Sequence, residues 1–353
     1  MAARKSGEAI EITRAELDSA VVTAAVERAK EAAQVPLRRE VGAADMTRGF
    51  NTGAQVFKTA GLAAIGAIAY VIIYEMFFSQ SVCYTDECVL QLTGTSTAIG
   101  TAVMAFLIAA LQGFEEESSE KILRLGGIAV LAGLVGGAIT GALGQRIYTD
   151  MQDSINPNGF DIVRAGAWAL QYLAVGVAVG ISFKSIQKTI NGILGGAIGG
   201  FIGGGIFNII GNATITSATD TGTIPRLIGF TVVGLLVGGG IGLADAVRKN
   251  LWLQIATGGM AGKQFIVYQQ NAVLGSSSSA DITLIKDPEI AGMHVRLSQK
   301  SGGTTFEVLD GASDVLLNGE AARSGRLSDG ALLQVGGTVL QFGEKNVEMP
   351  TIA

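Results

Sequence analysis

The chain has 353 residues, of which 48% are hydrophobic, 50 are glycine and only 16% are charged, against roughly 25% charged in an ordinary soluble domain; its mean hydropathy is +0.43. The net charge of −5 and pI of about 5.1, with no block of lysine or arginine, argue against nucleic acid as a partner. Polar residues gather before about Gln55 and after about Lys249, leaving roughly 190 residues of long apolar runs between short polar loops, which is the pattern of a membrane protein.

These shifts divide the chain into a leading helical segment (1–55), a membrane region (56–248), a β-rich domain (249–345) and a short tail (346–353). The leading segment mixes acids and bases and has no apolar core, which argues against a cleaved secretory signal. Within it Glu8 to Gln34 is rich in helix formers, with an imperfect apolar stripe through Ile10, Leu17, Val21 and Ala25, and Pro36 ends it. Such a helix can lie on the membrane, pair with a partner helix or pack on the last domain.

Six runs are long and apolar enough to cross a bilayer: about 57–78, 95–113, 122–144, 162–183, 189–211 and 225–247. Basic residues keep loops cytoplasmic. Nine of them precede or begin the first span, Lys121 and Arg124 fall in the second loop, Lys184 and Lys188 in the fourth, and Arg248 and Lys249 after the last span. With six spans, both termini of this multi-pass protein are therefore expected in the cytoplasm.

Glycines recur every four residues at Gly133, Gly137 and Gly141, at Gly192, Gly196, Gly200 and Gly204 (with Gly195, Gly199 and Gly203 in parallel), and at Gly234, Gly238 and Gly242. This period puts each set on one helix face, where missing side chains let backbones approach, a glycine-zipper pattern that can seal one bundle or join copies into a homo-oligomer. The triplets of the third and sixth spans also fit two inverted three-helix halves, as in transporters. Ionisable groups deep in the spans are nearly absent, Glu75 lying toward the outer end of the first, which weakens an ion-pathway reading. Cys83 and Cys88 share a loop placed outside the cytoplasm, where a disulfide can form. Zinc would need further ligands, and the one histidine is far away.

After Arg248 the periodicity becomes two, with strands expected at 251–256, 264–268, 271–274, 282–285, 294–298, 305–309, 315–317, 331–335 and 338–342. That predicts a β-sandwich or small barrel. The "GGMAGK" run is not a nucleotide-binding loop, because Lys263 is followed by Gln264 and another strand. No catalytic constellation and no cofactor motif accompanies His294, so an enzyme is not expected.

The run "LWLQIATGGMAGKQFIVYQQNAVLGSSSSADITLIKDPEIAGMHVRL", followed by "FEVLDGASDVLLNG" and "LSDGALLQVGGTVLQF", resembles a forkhead-associated (FHA) domain over nearly its full length, through landmarks in order from "GK-x-F" and "LG" to the histidine, "LNG" and "L-x-DG". The resemblance implies a β-sandwich, and many members bind phosphothreonine through loops at one end. The functional residues carry over poorly. The family's arginine after "LG" falls on Ser276, its serine on Ala291, its intervening arginine on Gly292, and its earlier Asn-Gly pair on Ser313 and Asp314. Only His294 is retained, and the resemblance gives it the role of a brace for the loop. Phosphate is held best by arginine, and here the candidate peptide loops offer Ser276, Ser277, Ser278, Gly292, Ser313 and Asn318. Arg296 and Lys300 are nearby charges, although alternation makes Arg296 an exposed strand residue.

The expectation is a membrane scaffold or signalling adaptor, six helices displaying an FHA-like module that recruits a protein partner, phosphorylated or not, with bilayer lipid around the helices. The link to protein-kinase signalling comes from the resemblance. The alternative is a channel or transporter with a regulatory FHA-like tail.

Overall fold

A computed structural model describes residues 50–214, 222–300 and 303–345. The helix expected over Glu8 to Gln34 and the tail after residue 345 lie outside the described residues. Among the described residues six helices come first: α1 Thr52–Phe77, α2 Asp86–Glu115, α3 Ser119–Asp150, α4 Ile162–Ser182, α5 Ile186–Thr214 and α6 Thr223–Arg248. All six are long and apolar enough to cross a membrane. At 1.5 Å per residue even the shortest reaches the roughly 30 Å of a hydrocarbon core.

The helices run past the apolar windows because their polar flanks supply caps. Asn51 accepts a hydrogen bond from Ala54 N–H, Thr85 from Cys88, Ser118 from Lys121, Asp161 from Val163 and Arg164, and Ser185 from Lys188. Each satisfies donors that the first turn leaves unpaired. Two basic residues assigned from sequence to loops, Lys121 and Lys188, thereby lie inside the first turns of α3 and α5, where both are buried.

The helices close into a ring, each packing on the next and α6 on α1, with α2 also touching α4. Glycine faces lie in these contacts. A Cβ at Gly133 or Gly137 would stand 2.8 Å from the α2 backbone at Ala102 or Ala98, and one at Gly141 would meet Thr97. Helix α5 has two such faces. Gly192, Gly196, Gly200 and Gly204 meet α4 at Gly176, Tyr172, Trp168 and Arg164, while Gly195, Gly199 and Gly203 meet α6. Gly234, Gly238 and Gly242 of α6 lie on α1 between Ala67 and Val56. The outward faces are apolar instead: Leu131, Val135, Ile139 and Leu143 of α3 recur every four residues and are 68, 64, 56 and 52% exposed, a surface that suits lipid. Cys83 and Cys88 are joined in a disulfide at the α1–α2 connection.

Eleven strands follow: β1 Leu251–Ile255, β2 Gln264–Ile266, β3 Asn271–Gly275, β4 Ile282–Thr283, β5 Val295–Lys300, β6 Gly303–Val308, β7 Val315–Leu317, β8 Glu320–Ala322, β9 Ser324–Leu327, β10 Leu332–Val335 and β11 Thr338–Glu344. They form two sheets, ordered β2-β1-β11-β10-β7-β8 and β4-β3-β5-β6-β9, in which β3–β4 is the parallel pair among the described residues. Alternate residues such as Leu251, Leu253, Leu274, Leu297, Phe306 and Phe342 fill the space between the sheets. Strands β8 and β9 were not expected from sequence. Their residues, Glu-Ala-Ala and Ser-Gly-Arg-Leu, have little β propensity; pairing holds them, with β8 following β7 across a two-residue turn at Asn318 (φ 51°) and Gly319 (φ 94°).

Candidate functional site

One end of the sandwich gathers the β3–β4, β4–β5 and β6–β7 loops. Ser276 N–H donates to the Ala291 carbonyl and Ser277 N–H to that of Gly292, both at 3.0 Å, while the Ser276 hydroxyl donates to the Ile290 carbonyl at 2.8 Å. The close approach has a steric cause. A side chain at Gly275 would overlap the Gly292 carbonyl. His294, fully buried, joins the remaining loop. Its Nδ1 accepts from Ala291 N–H at 3.1 Å, and its Nε2 lies 2.9 Å from the Ser313 carbonyl, so Nε2 carries the proton. Ser276, Gly292, Ser313 and Asp314 are exposed around this brace, with Ser278 half-buried beside them.

Asn318 is not among them. It sits at the far end of β7 from Ser313, and its side chain accepts from Leu332 N–H at 2.9 Å. Arg296 faces Glu307 across the β5–β6 pair at 3.8 Å. The guanidinium at the loop end belongs instead to Arg323, between β8 and β9, which pairs with Asp314 at 2.6 Å and reaches the Ala312 carbonyl. Sequence reasoning passed over Arg323 because the two strands that carry it have no strand pattern of their own.

The adjoining edge of the sandwich is held by the helices. The α2–α3 turn presents Glu116, fully buried, which accepts from Thr283 N–H on the unpaired edge of β4 at 3.1 Å and pairs with Lys121 at 2.6 Å. Lys121 Nζ donates also to the Ala280 and Asp281 carbonyls at 3.1 and 2.7 Å. Gln112 reaches the same Asp281 carbonyl at 2.6 Å. Beside them Glu117 pairs with Lys286 at 2.8 Å; this ammonium, with help from Lys263, holds the carboxyl below its ordinary pKa.

A second cluster ties the β2–β3 connection to the start of α5 and the end of α6. Lys188 pairs with the buried Asp245 and donates to the Tyr268 hydroxyl at 3.2 Å. Asn191 donates to Asp245 at 3.1 Å and accepts from Arg248 at 2.8 Å. Burial, then the charge and hydrogen bond of Asp245, push the Tyr268 phenol well above its usual range, so it remains a neutral hydroxyl. The charges at both junctions were visible in the sequence, but nothing in it showed that they pair across the helix ends. Among the described residues no group of three or more histidine, cysteine or acidic side chains is placed to hold a metal.

These features define a class: six apolar, membrane-length helices carrying a two-sheet β-sandwich. No family model matches the sequence, and none of the curated proteins is significantly similar to it. Among solved structures, the strand region is similar to the FHA domain of the Chlamydia trachomatis protein CT664 (20% identity, 28% of this chain and 100% of that one, TM-score 0.26). It is also similar to an FHA domain from Arabidopsis thaliana (24%, 29% and 92%, TM-score 0.26) and to the cytoplasmic domain of the T3SS sorting platform protein PscD from P. aeruginosa (20%, 29% and 85%, TM-score 0.25).

Proposed function

We propose that this protein is a membrane-anchored scaffold or signalling adaptor whose FHA-like sandwich recruits a protein partner on the cytoplasmic side of a bacterial inner membrane, with both termini on that side. The observation that carries the reading is the exposed loop end of the sandwich, with Ser276, Gly292, Ser313 and Arg323 open to a partner while the neighbouring edge is held by Glu116 and Lys121. Anchoring of this kind fixes the module relative to the helices through the Ala280–Asp281 end of the β3–β4 loop and leaves Ser276, Gly292 and Ser313 exposed. Arg323 supplies one guanidinium and Ser277 and Ser278 supply hydroxyls, the Ser276 hydroxyl being taken by the Ile290 carbonyl; this set favours a single phosphothreonine or an acidic side chain.

The test is titration of the full chain in nanodiscs with a degenerate phosphothreonine peptide library and its unphosphorylated counterpart. Phosphate-dependent binding that Arg323→Gln weakens at least tenfold is the expected result. Binding indifferent to both phosphate and Arg323 would assign recruitment to another surface. A transporter with a regulatory tail is the second reading, favoured by a cavity inside the helical ring; saturable solute flux in proteoliposomes would establish it.

A further inference from the structure

The helical ring encloses a cavity of about 390 Å³, within the roughly 300–1,000 Å³ of small-molecule sites. Its position follows from the chain direction. The lining residues come from the last third of α1, the first two-thirds of α2, the end of α3, the first half of α4, the end of α5 and the start of α6. All of these are the halves away from the β-sandwich, which is attached at the other end of α6. Toward the sandwich, the buried side chains of Ile108, Val175, Val179, Val237 and Ile241 close the ring, so the cavity is blind on that side.

Its walls are chemically unlike. On one side Trp168, Phe207 and Phe230 form a cluster with ring centroids 4.8 to 5.5 Å apart. On the other, Thr93, Ser96, Thr97 and Thr101 recur at helical spacing along α2 and line the space with hydroxyls. At the aromatic wall stands Arg164. Its guanidinium lies 5.4 Å from the Phe207 ring centroid and donates to Asn208 at 2.5 Å and to Tyr148 Oη at 2.6 Å. Those bonds use two of its five N–H groups. Its carboxylate neighbour, Asp161, is fully buried, lies 3.9 Å away and does not line the cavity; two of its bonds come from the backbone at the start of α4. Arg226 lines the same space and is paired with Glu75, which does not.

The geometry points to a binding site for a small aromatic carboxylate that enters from the face opposite the β-sandwich. The planar ring lies against the Trp168, Phe207 and Phe230 cluster, and the carboxylate takes the remaining donors of Arg164, in a space where low dielectric strengthens a charge-assisted bond. Asp161 and Glu75 offset the two arginines, which favours a monoanion over a phosphate dianion. Thr97 and Thr101 of α2 supply further hydroxyls, those of Thr93 and Ser96 donating to the Gln145 side chain and the Thr93 carbonyl. The inference rests on the helices and is independent of the reading of the sandwich.

Calorimetry on the full chain in nanodiscs, with empty nanodiscs as the blank, tests it. The probes are benzoate and 1-naphthoate, their primary amides, and acetate. Saturable binding of the aromatic acids is expected, at least tenfold weaker for the amides and for acetate. Arg164→Lys, which keeps the charge and loses the planar fork, should weaken binding about tenfold. Thr93→Phe, which fills the space from the opposite wall, should abolish it, and Arg323→Gln on the sandwich should leave it unchanged. No saturable binding of either acid overturns the proposal. So does equal affinity for acid and amide, or affinity that neither Arg164→Lys nor Thr93→Phe alters.

Discussion

Lys121 is 1% exposed and its partner Glu116 is fully buried, so neither charge can turn to water if the other is removed. Lys121→Met leaves a buried carboxylate and costs about 3–5 kcal/mol, whereas Lys121→Met with Glu116→Met is expected to recover much of that loss. Thermal unfolding in detergent checks the comparison. Equal destabilisation by the single and double changes would show that the charges do not act as a pair. The same single change frees the Ala280 carbonyl and leaves that of Asp281 to Gln112 alone, and faster hydrogen exchange over 276–283 is the expected signature. Glu117 behaves differently because it is on the surface. Lys286 lowers its pKa in the docked form, so docking favours the ionised carboxyl. That contribution is fully present above the ordinary value of about 4.3 and is lost as pH falls through the depressed one. Exchange at Lys286 and its neighbours should rise below about pH 4, and Glu117→Gln should flatten this profile.

At the scale of the element, the glycines divide by what faces them. Gly176 of α4 meets the backbone of Gly192 closely enough that any side chain overlaps it; Gly176→Leu forces the helices apart and is expected to cost about 3 kcal/mol or more. Gly127 of α3 and Gly61 of α1 have nothing within 4 Å of a built Cβ. Alanine there removes the conformational cost of glycine and gains about 0.5–1 kcal/mol. Unfolding in mixed micelles separates the two groups, and a stable Gly176→Leu protein would mean that α4 and α5 are not pressed together. The period of four was legible in the sequence. Which helix each face meets was not, since the same stripe serves an internal seam or a contact between copies.

For the whole molecule, two ion pairs of the helices hydrogen-bond the sandwich, Glu116 and Lys121 at the Ala280–Thr283 backbone and Lys188 with Asp245 at the Tyr268 hydroxyl, where the Phe183 ring also packs on Tyr268. If the helices cross the bilayer six times, the Cys83–Cys88 disulfide and the β-sandwich lie on opposite sides. After reduction, a membrane-impermeant thiol reagent applied to intact spheroplasts should label Cys83 and Cys88, while external protease leaves the sandwich uncut. Labelling only after lysis would invert the proposed orientation.

Composition and periodicity by themselves determined that six apolar helices precede a β domain, because both rest on local hydrophobic pattern. The ordered landmarks from "GK-x-F" to "L-x-DG" placed His294 in a turn near the loop end. Only the tertiary structure decided that Arg323 rather than Arg296 reaches that end, since β8 and β9 are held by pairing and not by propensity. Likewise, Lys121 and Lys188 read as loop charges until their partners were in place. A lysine at a helix start looks solvated in sequence, and its burial depends on Glu116 and Asp245 being brought to it by other turns of the fold. The cavity belongs to the same category: its lining comes from all six helices, and no segment of sequence contains it.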